Sequence, residues 1–310
     1  MKKYRYTSLF ATLFILLCAN FSMAEDIHKK SGTTSAAFLK VDAASRPISM
    51  GGAFTGLADD VNALFWNPAG LMSLQKQQIS AMQNFSIGNV YTQALSYGRV
   101  LNQKMAIGVS LQGAFTRIDF RQAPTATPDQ EVTVGGFAPG FSLAYQPFSF
   151  FSVGITTKAI VEQLDVETLL GFAGDLGILI RPFGEATKLG ATLQNLGSIN
   201  SGSPLPTNFR GGISFQPTKA NILAADINLP LVAGYPSVHF GAENWFGDFV
   251  AVRLGYSVSQ GENPRNGITA GIGLKRKGRV SLENINFQFD YAIVPDPMGN
   301  VHRIACLMRF

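Results

Sequence analysis

Apolar residues recur at every second position through most of the chain after residue 75. In Val250, Val252, Leu254 and Tyr256 they alternate with Ala251, Arg253, Gly255 and Ser257. Ile285, Phe287, Phe289, Tyr291 and Ile293 alternate with Asn286, Gln288 and Asp290. Phe172, Leu176, Ile178 and Ile180 stand opposite a set that includes Asp175 and Arg181. Ile268, Ala270, Ile272 and Leu274 alternate with Thr269, Gly271, Gly273 and Lys275. A period of two is that of a β-strand with one apolar face and one small, polar or charged face. The pattern predicts about fourteen strands of roughly 10–15 residues, the length a tilted membrane strand needs.

The connections alternate in character. Asn102-Gln103, Gln146 to Phe148, Pro182 to Ala186, Gln216 to Thr218, Phe246-Gly247 and Lys277 to Arg279 read as tight turns. Residues 118–133, Gly197 to Pro206, Leu229 to Pro236, Gln260 to Asn266 and Pro295 to Asn300 read as longer loops. The first hairpin, near Ile87 to Asn89, is short although it belongs to the second set. Short turns alternating with longer loops describe an outer-membrane barrel with periplasmic turns. Alternation alone would also suit a soluble sandwich. Aromatic residues near strand ends (Tyr97, Tyr145, Phe183, Trp245, Phe246) favour the barrel, whose interfaces carry aromatic girdles. The chain ends on Phe310, in phase with Ile304, Cys306 and Met308. Such an aromatic end marks outer-membrane barrels, and barrel assembly machinery is an expected partner through Phe310. The fold class is therefore all-β, a transmembrane antiparallel barrel of about 14 strands with an N-terminal plug.

The N-terminus sets the compartment. Lys2, Lys3 and Arg5 precede an apolar run from Thr7 to Cys18, and Ser22-Met23-Ala24 supplies small residues before Glu25. Residues 1–24 read as a secretory signal peptide. The run is too short for a membrane span of about 20 residues. Leu17 is too bulky for a lipoprotein site at Cys18. The full chain carries 25 basic and 20 acidic residues, a net +5. The signal accounts for three of the basic residues, so the remainder balances 22 against 20. A near-neutral chain argues against a nucleic-acid partner. Only 15% of residues are charged while 46% are hydrophobic. An ordinary soluble domain carries about 25% charge. Beyond the signal there is a single cysteine, Cys306, so no internal disulfide is expected.

Residues 25–75 read as a plug filling the bore, and 76–310 as the barrel. Ala58 to Leu64 is expected to form a short helix with Asp59 and Asp60 in its first turn. Pro68 and Gly70 are expected to stop it. Asn67 is expected to hydrogen-bond local backbone. The plug and gating candidates are Gly51, Gly52, Asp59, Asp60, Trp66, Asn67, Pro68 and Ala69. Asp59 and Asp60 would not face each other on a helix, which argues against acid–base chemistry. Lumen-facing charges are expected at Asp175, Arg181, Glu243, Arg253, Lys275, Asp290, Arg303 and Arg309, most simply as cross-lumen pairs. Gly51-Gly52 is not a phosphate loop. His28, His239 and His302 have no partner at metal-ligand spacing. Ser237 and His239 share a strand face, poor support for a hydrolase. No enzyme activity, cofactor or metal is expected. Gly171, Gly174 and Gly177 would permit a bulge or kink.

The segments FLK (38–40), MGGAFTGLADD (50–60) and WNPAGL (66–71) resemble the PorV/PorQ proteins. They also resemble a related family of uncharacterised outer-membrane proteins, within the FadL-like superfamily. FDYAIVP (289–295) and GNVHRIACLMRF (299–310) are similar to that family's last two strands. The resemblance implies a fourteen-stranded barrel with an N-terminal plug. It also implies uptake of hydrophobic small molecules, such as long-chain fatty acids, across the outer membrane. The alternative it implies is a PorV-like role in type IX secretion, binding protein cargo. The chain is shorter than that secretion class, which leaves less loop for grasping cargo. Outer-membrane lipid and a hydrophobic ligand are the expected partners, with the protein a monomer.

Overall fold

A computed structural model describes residues 34–310, apart from 87–89, 123–125, 260–266, 281–282 and 296–298. The signal peptide, His28, the hairpin tip at Ile87 to Asn89 and the loop Gln260 to Asn266 lie outside the described residues. Fourteen strands close into one antiparallel barrel. In chain order they begin with β1 (Gln77–Phe85), β2 (Tyr91–Asn102), β3 (Met105–Phe120), β4 (Gln130–Phe148), β5 (Phe151–Leu164) and β6 (Glu167–Ile180). A four-residue strand β7 (Pro182–Glu185) lies outside the barrel order. The wall continues through β8 (Thr187–Ile199), β9 (Asn208–Phe215), β10 (Asn221–Pro230), β11 (Ser237–Phe246) and β12 (Val250–Ser259). It ends with β13 (Gly267–Val280), β14 (Glu283–Val294) and β15 (Val301–Arg309). β15 pairs with β1, Met308 against Ile79, so the ring has no free edge. A closed ring satisfies every backbone group internally, which lipid demands.

Each strand turns opposite faces to the two environments. On β12, Arg253 is 0% exposed and its neighbour Leu254 is 57% exposed. Leu95, Leu111, Ile155, Leu176, Ile272, Phe289 and Ile304 are likewise exposed on the outer face. Large apolar side chains outside and charges inside invert a soluble protein and describe a barrel in lipid. An arginine at Leu254 will therefore cost about 2–4 kcal/mol if that residue sits at mid-bilayer. Equilibrium unfolding from liposomes measures it; unchanged stability would refute the lipid-facing assignment.

The connections differ from expectation in several places. Gln146 to Phe148 end β4, and Pro182 to Glu185 form β7, where tight turns were expected. Residues 118–120 and 130–133 are strand, because Arg117 to Phe120 pair with Gln130 to Thr133 and leave a shorter loop. Lys277 to Arg279 lie within β13, paired to Asn284 to Asn286, instead of forming the turn. Asp165-Val166 makes a tight turn at the loop end, with Asp165 at φ 55°. The bulge lies between β6 and β8, where the register shifts from Gly174 to Leu176. The extra residue belongs to β8, whose Asn195 takes φ 59°. Asp175 holds it there by accepting from Asn195 N at 2.8 Å, and Lys158 pairs with Asp175 at 2.7 Å.

Candidate functional site

Residues 34–75 run through the bore from the loop end to the turn end. At the loop end Ser35 N donates to Pro204 O at 3.2 Å. Both Glu162 oxygens accept from Ala36 N at 2.9 Å. Phe38 then packs among Ala114, Ala138, Ile160, Ala173, Ile199 and Leu205, an apolar compartment under the loops. Gln112 crosses from β3 to hold Phe38 O and Val41 O. Arg210 reaches Asp42 at 3.2 Å, and Arg303 donates to Asp42 O. Burial alone pushes the Lys40 ammonium down.

One turn of α-helix, α1 (Ser45–Ser49), follows and delivers Arg46. Arg46 donates to Glu243 through Nε at 2.8 Å and Nη2 at 2.9 Å. Its Nη1 also lies 2.6 Å from Asp59 and 2.7 Å from Asp60. The wall extends this cluster. Arg253 Nε donates to Glu243 at 2.5 Å, and Arg253 Nη1 to Asp290 at 2.7 Å. Gln288 Nε2 donates to Asp290, and Gln288 Oε1 accepts from Arg309 at 2.8 Å. Burial opposes the Arg46 charge, yet Asp59, Glu243 and Asp60 together raise its guanidinium well above the ordinary value. Burial pushes the Asp60 carboxyl up, against the pull of Arg46. Buried charges survive only when paired in this way.

The MGG and WNPAG segments occupy the middle of the bore. Gly51 and Gly52 take φ 70° and 89°. Gly51 O accepts from His239 Nδ1 at 2.6 Å if that nitrogen carries the proton, and His239 Nε2 lies 2.8 Å from Ser237 Oγ. The Ser237–His239 pair thus anchors Gly51. Asp226 accepts from Phe54 N at 2.8 Å and Thr55 N at 2.7 Å. Trp66 Nε1 donates to Gly52 O at 3.1 Å. Phe54 meets the Trp66 ring edge-on at 6.0 Å between centroids, and Arg210 lies 5.7 Å over Trp66.

The predicted helix at Ala58 to Leu64 is not formed. Ala58 has φ 33°. A 3-10 turn runs from Val61 to Phe65, with Asp60 as its cap accepting from Asn62 N. Freed from a helix, Asp59 and Asp60 converge on Arg46 after all. Pro68 does not stop a helix but starts a second 3-10 turn, Pro68–Ser73. Asn67 Oδ1 accepts from Ala69 N at 3.2 Å, a local bond. Its Nδ2 reaches further, to Thr55 O at 3.1 Å and Ile178 O of β6 at 2.9 Å. Ser152 Oγ donates to Ala69 O.

The wall is cut to fit this plug. A Cβ added at Gly255 would overlap Gly51 N. One at Gly190 would overlap Thr55 O, and one at Gly154 would overlap Ala69 N. Lys275 sits apart at the turn end, 5.9 Å over the Trp245 ring. Arg181 pairs with Glu185 at 3.1 Å and donates to Ser73 at 2.9 Å. Among the described residues no group of His, Cys, Asp and Glu could hold a metal ion. The arrangement holds, caps and excludes.

Arg46 and Asp226 were not candidates from sequence, although both anchor the plug. Asp226 was findable, since it alternates with Ala225 and Ile227 as Asp290 does with its neighbours. Nothing in Ser45 to Ser49 marks Arg46 apart from a loop residue.

The model of an uncharacterised protein family, UPF0164, matches residues 17–138. No curated protein matches. Among solved structures the chain is similar to the Pseudomonas putida toluene transporter TodX, at 14% identity and a TM-score of 0.62. That match covers 86% of this chain and 97% of TodX. It is also similar to the CymD monoaromatic hydrocarbon channel, at 14% identity, a TM-score of 0.59, and 89% and 97% coverage. In fold, then, the chain is similar to these two channels along nearly the whole of those solved chains.

Proposed function

We propose that this protein is an outer-membrane barrel that admits hydrophobic small molecules, long-chain fatty acids among them. The observation that carries the reading is the apolar compartment around Phe38, which lies directly under the loops at the mouth of the bore. Three of its wall residues, Ala114, Ala138 and Ala173, are alanine, small enough for a ring or a chain to take the place of Phe38. The fold likeness to a toluene transporter and a monoaromatic hydrocarbon channel supports the same class of cargo. The turn end, with Phe310 beside Gln77, then faces the periplasm. Gly51, Gly52, Asp59, Asp60 and the Trp66 to Ala69 turn form the closed gate beneath the compartment. The short connections, down to two residues at Asp165-Val166, offer little surface to a folded protein cargo. They favour a small-molecule conduit over a secretion component.

Uptake decides the matter. Proteoliposomes carrying the protein should take up labelled toluene or labelled fatty acid faster than protein-free vesicles. Phe38→Trp, which fills the compartment, should slow that uptake. Equal rates with and without the protein, for both labels, would end this reading.

A further inference from the structure

Charge is distributed unequally between the two ends of the barrel. At the loop end the exposed charges described are Asp119, Asp129, Glu131, Asp165 and Glu167 against Arg117 and Arg121. Asp119 and Glu131 stand directly opposite each other in register, and Arg121 bonds Asp119 at 3.1 Å. Such an end suits no surface dense in phosphate. The turn end is basic, and part of it neutralises itself. Glu185 takes both Arg181 and Lys188, and Asp248 lies 4.0 Å from Lys277.

One arc of the turn end does not neutralise itself. Arg276 on β13, Lys76 just before β1, Arg99 on β2 and Lys104 just before β3 are exposed along the stretch of wall that runs β13, β14, β15, β1, β2 and β3. Among the described residues none of the four has an ion-pair partner. At about 4.8 Å per strand the arc spans about 24 Å. Two of the four stand on the lipid face itself. Arg99 continues the outward row Leu95 and Tyr97, and Arg276 continues the row Ile272 and Leu274. A long side chain at the end of such a row lays its stem along apolar surface and carries its charge to headgroup level.

We propose that this arc is a binding site for anionic phospholipid headgroups in the leaflet that the turn end faces. The partner is a phosphate-bearing lipid because the four donors lie together at the lower rim of the apolar belt. A soluble anion would have no use for the apolar rows above Arg99 and Arg276. The proposal rests on the outer-membrane reading for the name of that leaflet. Lipid retention is measured separately from uptake, so either can fail alone.

The test is native mass spectrometry of the full chain, purified in detergent and given equal amounts of phosphatidylglycerol and phosphatidylcholine. The wild type should retain phosphatidylglycerol in preference, and added salt should weaken the preference. Each basic group near an anionic surface is worth about fivefold in binding. The K76Q/R99Q/K104Q/R276Q variant should therefore lose the preference by at least about tenfold. R117Q/R121Q, at the other end, should keep it. Equal retention of the two lipids by the wild type overturns the proposal without reference to any variant. So does undiminished preference in the quadruple variant, checked for folding by its mobility in unheated detergent gels.

Discussion

Replacing Arg46 by methionine will release the plug. Methionine keeps length and removes the charge, so Asp59, Asp60 and Glu243 lose the guanidinium on which they converge. Glu243 keeps Arg253 at 2.5 Å, whereas Asp60, 1% exposed, loses its direct ion pair and keeps only the more distant Arg309. Removing one partner of a buried ion pair costs about 3–5 kcal/mol, because the other charge is left uncompensated. The strands hold each other through a ring of backbone bonds that Arg46 does not enter, so the cost falls on the plug. Conductance in planar bilayers should rise, and protease should cut between residues 45 and 66 while the wall keeps its heat-modifiable gel mobility. Adding Asp59→Asn and Asp60→Asn to the same chain should restore much of the closure. If conductance and protease resistance both stay at wild-type values, Arg46 is not the latch.

Gly255→Val should act on the same plug from the opposite side. An added Cβ there meets Gly51 N, Met50 C and the Thr269 hydroxyl, two of them backbone atoms. Gly51 cannot retreat, since His239 holds its carbonyl and Thr269 Oγ1 holds its N–H at 3.0 Å. Overpacking typically costs about 1–3 kcal/mol, and more where neither side can yield. Gly211→Ala is the control, because its Cβ would meet only side-chain atoms of Ile227 and Phe209, none nearer than 3.5 Å. The valine variant should lose thermal stability and protease protection at Met50 to Thr55, and the alanine variant should lose neither. Equal behaviour of the two would mean that the plug does not depend on a close fit to β12.

The strands were legible because lipid enforces the alternation of Leu254 with Arg253 at every step. A charge on the wrong face is costly there, so the sequence records the face. The turn after β13 was misplaced because Lys277, Gly278 and Arg279 look like a turn but extend a strand past the apolar belt. The plug obeyed no such rule. Asp59-Asp60 before Val61 reads as a helix start, yet the local preference lost to Arg46, which lies more than ten residues away and is brought close only inside the bore. Asn67 was readable as a local cap at Ala69, whereas its bond to Ile178 needs the closed wall. Residues whose partners lie on the same strand pair leave a periodic trace. Plug residues, whose partners lie across the lumen, leave none.

The pairing of β1 with β15 also constrains assembly. The plug is continuous with β1 through Leu74 to Lys76, and β15 comes last in the chain. Closing Ile79 against Met308 therefore seals whatever the bore then holds. A wall that closed empty would leave Asp226, Glu243 and Asp290 facing a bore without Phe54, Thr55 or Arg46. Filling the bore and shutting the seam are best served by a single concerted step, with the first-made segment acting as the mandrel on which the last-made strand is laid.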